Sequence, residues 1–339
     1  MHTCPILAPD GPAGHLFSPD KGFNYSGPVR ITRIVEYFND EAELAKAKND
    51  NVAMQVDIIG FSRGAAQARD FANRLMVGVK QNLITKDYWY GYKRKDAQGI
   101  EQDKCQKVNF RFMGLWETVL STNASGYAYK LGIPDEFSHV AQAVALNEYR
   151  GRISPAGRPD PGTFSGNLDS VGAFPLESIM GSAVPVGQTR IERGFVGSHA
   201  DIGGSFKDNE LSKVALAWML QQATLAKVKL EDQDISVVAN PVLHDKSDGI
   251  QTGAPGSATD DRQVRYSNGT TVRQRAMAGT GLTYAEIVKE SFITYTPRAD
   301  LPTNNQGKIM GNETGTVNMD RYRAWLLLNG YDLGKLKIN

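Results

Sequence analysis

Apolar positions along this chain follow two periods. Residues 29–48 carry a helical pattern that ends at the polar Asn49-Asp50-Asn51. Residues 52–59 are β-branched and become apolar towards their end, as a buried parallel strand does. After a turn at 60–64, Ala68, Phe71, Ala72 and Leu75 stand at i, i+3, i+4 and i+7, one face of a helix. Val108, Phe110 and Phe112 then alternate with Asn109 and Arg111, a strand signal that runs on to Gly114-Leu115-Trp116-Glu117-Thr118-Val119. The pattern predicts a helix around 138–150, a short strand over 191–196, and a well-buried helix over 211–230. Two late helices are expected near 282–292 and 318–328. Between these lie a Gly- and Pro-rich opening of 30 residues, excursions at 80–107 and 151–190 that would suit a lid or cap, and a polar stretch at 244–275 that reads as an exposed loop. No repeat or linker divides the 339 residues. Strands alternating with helices predict one α/β domain: a mostly parallel sheet with helices on both faces.

Composition narrows the function more than the fold. With 38 Lys+Arg against 37 Asp+Glu the net charge is +1, so no global field draws in nucleic acid or an anionic membrane. No apolar run approaches the roughly 18–20 residues that span a bilayer. The first residues lack the basic-then-apolar pattern of a signal peptide, which predicts a protein kept in the cytoplasm of its producer. Two cysteines, Cys4 and Cys105, are too few for a disulfide framework or a Cys-based zinc site.

The chemistry concentrates at Gly60-Phe61-Ser62-Arg63-Gly64. This is G-x-S-x-G with a strand before it and a small-residue helix after it, the context a nucleophile elbow requires. Such a turn lifts the serine hydroxyl above the sheet, and its flanking glycines avoid collisions with the strand and helix. Helix polarity favours negative charge there, and the Arg63 N–H is placed to be one oxyanion donor. The Arg63 side chain suits a carboxylate partner or a substrate phosphate.

A serine nucleophile needs a base and an orienting acid later in the chain. Of the five histidines, His2 and His15 precede the elbow, His139 falls on the predicted helix, and His244 falls in the polar stretch. His199 alone follows a strand signal within a Gly-flanked loop. Glu117 ends the strand signal at 108–112, where open α/β sheets build sites. Asp201 is the second choice for the acid, because two residues leave little room for it to turn back on the His199 ring. A structural use capping the turn at Ile202-Gly203-Gly204 suits it better.

These blocks resemble the α/β-hydrolase domain of type VI secretion phospholipase effectors, the first class of the Tle lipases, and its uncharacterised bacterial and fungal relatives. Three segments carry the likeness: Gly60–Ala65, the Gly-x-Trp-acid-Thr-Val block at 114–119, and Gly-x-His-x-Asp-Ile-Gly-Gly at 197–204. A weaker match, 139–150, is similar to the family's helix after the acid. The resemblance implies Ser62 as nucleophile, Glu117 as acid where the family usually has Asp, and His199 as general base. It also implies a lidded α/β-hydrolase fold whose first family strand, ending in Asp-Gly-Thr, is missing here, Asp10-Gly11-Pro12 being only a faint echo. The second oxyanion donor is left unassigned.

The expected function is a serine esterase or lipase acting on phospholipid acyl esters, without metal or other cofactor. The resemblance adds delivery by type VI secretion, a secretion-apparatus partner and an immunity protein. Tyr88, Trp89, Tyr90, Lys93 and Arg94 form an aromatic–cationic cluster that suits transient contact with a membrane surface as well as a partly buried hairpin. Asp245, Asp248, Asp260 and Asp261 lack calcium-loop spacing and read as a solvated loop. The rivals are an esterase for small soluble or carbohydrate esters and a non-catalytic binding module.

Overall fold

Ala65, Ala66, Ala72 and Leu75 line one face of the helix that follows the elbow, and all four are fully buried. What they cover is the inner sheet of a computed structural model that describes residues 26–49, 52–120, 127–148, 174–231, 234–245, 262–273, 292–296 and 313–339. Its elements in chain order begin α1 (Gly27–Lys48), β1 (Met54–Phe61), α2 (Arg63–Met76), β2 (Val79–Gln81), β3 (Tyr88–Lys95), β4 (Glu101–Trp116), β5 (His139–Ala145), β6 (Leu176–Glu177) and β7 (Thr189–Phe195). Then follow α3 (His199–Gly203), α4 (Ser212–Leu225), β8 (Ser236–Val237), β9 (Val242–Asp245), β10 (Gln263–Arg265), β11 (Thr271–Arg273), β12 (Ile293–Thr296), β13 (Glu313–Val317), α5 (Met319–Leu328) and β14 (Lys337–Ile338).

The fold is mixed α/β. Strand β4 is its spine. Its second half pairs in parallel with β1 and β5, and β5 pairs in parallel with β7. Its first half pairs antiparallel with β3, which carries β2, so residues 79–107 lengthen the central sheet. Opposite Val56 and Asp57, β4 contributes one residue too many. The extra residue is Arg111, whose guanidinium grips Asp57 across the bulge. Apolar clusters lie on both faces. Helices α1 and α2 close one over Val56, Ile58, Phe110 and Leu115, and α4 and α5 close the other over Phe112, Ala143 and Phe195.

One predicted helix is a strand. Residues 139–145 form β5, between β4 and β7, and every one of its side chains is buried. A strand covered on both faces shows no alternation, and its alanines read as helix formers although their small side chains are what the covering α4 needs. His139 therefore faces the Gln222 amide of α4 at 3.0 Å, not a helix groove, and burial lowers its pKa. The predicted strand at 191–196 and the helices at 29–48, 211–230 and 318–328 correspond to β7, α1, α4 and α5. The 244–275 stretch is not simply an exposed loop: it holds the end of β9 together with β10 and β11, and Asp245 is buried, bonded to Asn147 and Tyr295. Asp248, Asp260 and Asp261, residues 1–25, most of the 151–190 excursion and nearly all of the predicted 282–292 helix lie outside the described residues.

Candidate active site

Ser62 sits between β1 and α2 with φ 60° and ψ −131°. An L-residue in the left-handed region costs on the order of 1–3 kcal/mol, so the surroundings must hold it there. They do so through backbone. The Ser62 N–H donates to Trp116 O at 3.0 Å, and the Ala65 and Ala66 amides donate to Ser62 O. A Cβ on Gly60 would stand 2.7 Å from Ala65 Cα, so the strand and helix can come this close only at glycine. Gly64 is different, with nothing within 4 Å of an added Cβ. Gly60→Ala is therefore expected to destabilise the fold by roughly 1–3 kcal/mol. Gly64→Ala, on a helix, should be neutral or stabilise by up to ~1 kcal/mol. Urea unfolding of the two variants checks this, and equal losses would refute the steric account.

Glu117 follows β4 directly, at φ 47° and fully buried. Its N–H donates to Ala143 O at 2.7 Å, and its Oε2 accepts the Ala145 N–H at 2.6 Å, so β5 fixes both ends of the residue. Oε1 is held by the Arg262 guanidinium, itself fully buried at the start of β10. Burial raises the Glu117 carboxyl, but Arg262 and the His199 ring outweigh it and hold the group below the usual carboxylate range.

His199 opens α3 behind the Ser198 N-cap. Its Nε2 lies 2.8 Å from Ser62 Oγ and its Nδ1 3.9 Å from Glu117 Oε1. Its backbone N–H donates to Glu148 Oε2 at 3.2 Å. Phe61 and Phe174 flank the imidazole, with ring centroids 4.7 and 4.8 Å away. The glycines of the 197–204 block make this packing possible. A Cβ on Gly203 would run into the Phe61 ring, and Gly197, at φ 134°, lies where a Cβ would meet Asp201 Cβ at 2.6 Å.

Asp201 is turned the other way. Its Oδ2 accepts the Ser198 N–H in a capping box at 2.9 Å, and its Oδ1 faces His244 Nδ1 at 2.8 Å. The cap is thus at the start of α3, not on the turn at 202–204. His244 lies on β9, stacked on Phe206 at 3.8 Å, and so ties α3 to the β9–β13 pair.

The Tyr88–Arg94 cluster lies elsewhere. Strand β3 pairs with the far half of β4, roughly 25–45 Å along the strand from Trp116. Tyr90 is buried and donates to Asn39 Oδ1, Tyr92 donates to Glu43, Lys93 pairs with Glu101 and Arg94 with Asp40. Tyr88 and Trp89 are half-buried. Ser62, His199 and Glu117 are thus brought together, with the Arg63 N–H beginning the adjoining helix, while the cluster is not. Sequence reasoning missed Arg262, Glu148 and the two flanking phenylalanines. Phe61 alone had a local signal, its place inside the elbow. Among the described residues no group of three His, Cys, Asp or Glu could hold a metal ion.

Residues 47–222 match a family model described as the catalytic domain of type VI secretion (T6SS) phospholipase effectors of the Tle1-like kind. No curated protein matches. Among solved structures, an uncharacterised protein from Pseudomonas aeruginosa is 21% identical, with a TM-score of 0.34, over 60% of this chain and 28% of that one. A Tle1 effector bound to the VgrG spike of the type 6 secretion system is 24% identical, with a TM-score of 0.31, over 52% of this chain and 30% of that one. The match thus spans less than a third of the length of either solved chain.

Proposed function

The chain belongs to the Tle1-like phospholipase effector family of type VI secretion, and from that premise we propose that it is a serine hydrolase of the α/β-hydrolase kind that cleaves acyl esters of phospholipids. The observation that carries this reading is the 2.8 Å contact between Ser62 Oγ and His199 Nε2 at the tip of a strained strand-to-helix turn. Nothing in the stability of a folded domain calls for a hydroxyl held in that conformation against an imidazole.

In this mechanism Ser62 Oγ attacks the ester carbonyl carbon and its proton passes to His199 Nε2. The carbonyl π pair moves onto oxygen, where the Arg63 N–H and the start of α2 stabilise the charge. Collapse of the tetrahedral species breaks the bond to the alcohol, which leaves with the proton from His199. Water then repeats the sequence on the acyl-enzyme and frees the fatty acid. Glu117, kept ionised beside Arg262, orients the ring through Nδ1 and stabilises the imidazolium. Family membership also supports delivery by type VI secretion, docking on the secretion apparatus and neutralisation by an immunity protein. Among the described residues no helix is long and apolar enough to cross a membrane.

Fatty-acid release from phosphatidylethanolamine–phosphatidylglycerol vesicles, beside hydrolysis of p-nitrophenyl butyrate, tests the reading, with Ser62→Ala as the blank. Wild type should turn over both, and faster once the lipid is aggregated. Activity on the soluble ester alone would sink the phospholipid assignment. A folded wild type matching the blank on both substrates would sink the hydrolase.

A further inference from the structure

Arg262 is separated from Glu117 by 145 positions, yet the two side chains meet with no exposure to solvent. One guanidinium Nη donates to Glu117 Oε1 and the other to Ala145 O at 2.9 Å, while the Ala145 N–H donates to Glu117 Oε2. The ion pair therefore clamps both backbone groups of the last residue of β5 and holds Oε1 against Arg262, 3.9 Å from His199 Nδ1. Burying two charges to hold one peptide group is poor economy for stability, since a well-packed apolar pair would serve as well. What an apolar pair could not supply is a fixed positive charge next to the imidazole.

The geometry points to Arg262 as a positioning residue for the hydrolysis proposed above, on which this inference rests: it fixes the carboxylate of Glu117 towards His199 and keeps the ring neutral into more acid media than Glu117 alone would allow. The charged or titratable groups that face the arrangement include Glu117 at the end of β4, His199 on α3, and Glu148 just past β5, which accepts the His199 N–H. Asp201, also on α3, is turned to Ser198 and His244. Glu117 and Glu148 favour a protonated ring and Arg262 opposes it, so removing the guanidinium raises the pH at which the base becomes protonated. Arg262 lies beyond the family-matched residues 47–222, so this device belongs to the last third of the chain.

The test is the pH–rate profile on p-nitrophenyl butyrate for wild type, Arg262→Gln and Arg262→Lys, with Ser62→Ala as blank and fluorophosphonate labelling to count folded sites. Arg262→Gln should move the acid limb up by about one pH unit with KM nearly unchanged. Arg262→Lys keeps the charge but not the two-armed grip, so it should hold the limb in place and lose several-fold in kcat. A folded Arg262→Gln with the wild-type limb overturns the inference. If Arg262→Gln does not fold, Arg262→Lys decides: wild-type kcat at every pH overturns the inference and a several-fold loss supports it. A wild type no better than Ser62→Ala overturns the hydrolase reading and this one with it. An active wild type whose kcat and profile both variants leave untouched overturns this one alone.

Discussion

His199→Ala is expected to lower kcat on a soluble ester by about 10⁴–10⁶-fold while KM changes little. The ring is the one imidazole in contact with Ser62 Oγ among the described residues, and without it the hydroxyl keeps its weak intrinsic nucleophilicity. Residual turnover should come from the backbone donors around the elbow, which act whether or not a base is present. The loss should not be a folding defect. His199 is 6% exposed between two phenylalanine rings, and alanine keeps its backbone bond to Glu148. Single-turnover kinetics on protein with a wild-type circular dichroism spectrum is the measurement. Retention of more than about one per cent of kcat would remove His199 from the role of base. His244→Ala is the matched control. It removes the imidazole facing Asp201 Oδ1 but touches neither Ser62 nor Glu117, so its effect should be smaller by orders of magnitude.

The second large effect is expected at Glu117, and it falls on stability as well as rate. Glu117→Ala leaves the Arg262 guanidinium buried and without its carboxylate, a change that costs about 3–5 kcal/mol. It also removes the group facing His199 Nδ1, for which a kcat loss of about 10³–10⁴-fold is expected. The stability part depends on pH with a definite sign. The folded-state pKa of Glu117 is depressed by Arg262 and His199 despite burial, so its contribution is complete above the ordinary carboxylate range. That contribution is lost as the pH falls through the depressed value. Urea midpoints of wild type and Glu117→Ala should therefore lie far apart at pH 7 and converge in strong acid. Equal midpoints at pH 7 would show that the ion pair is not formed. An Asp201→Ala enzyme slower than Glu117→Ala would return the acid to Asp201.

The turn at Ser62 and the glycine-flanked segment of His199 were legible because local constraints write them into contiguous residues. Gly60 must be glycine against Ala65, and Gly203 against Phe61, and both requirements sit within a few positions of the groups they serve. Strand β5 was not legible, because periodicity reports a contrast between two faces and a strand covered on both has none. The hairpin at 79–107 resembled an excursion because its aromatics find their partners on α1, at Asn39 and Glu43, some fifty positions away. Arg262 was invisible for the same reason carried further. An arginine in a polar stretch has no local mark that distinguishes a solvated side chain from one paired in the core, and only the fold brings it to Glu117. His244 likewise looked like a loop residue until β9 paired with β13.

The groups that steady the site come late in the chain. Arg262 holds Glu117, and His244 on β9 holds the helix of His199 while β9 pairs with β13. The strand leading to His199 is tied to the far end of the chain, Val196 N–H donating to the Tyr322 hydroxyl and the Tyr331 hydroxyl donating to Gly194 O. At about 5–20 residues per second, a ribosome translates His199 on the order of ten seconds before Tyr331. The elbow and its imidazole thus exist as sequence well before they exist as a rigid constellation. Vectorial synthesis itself acts as a delay, and the constellation can become rigid only once the segment that carries Tyr322 and Tyr331 has left the ribosome and docked.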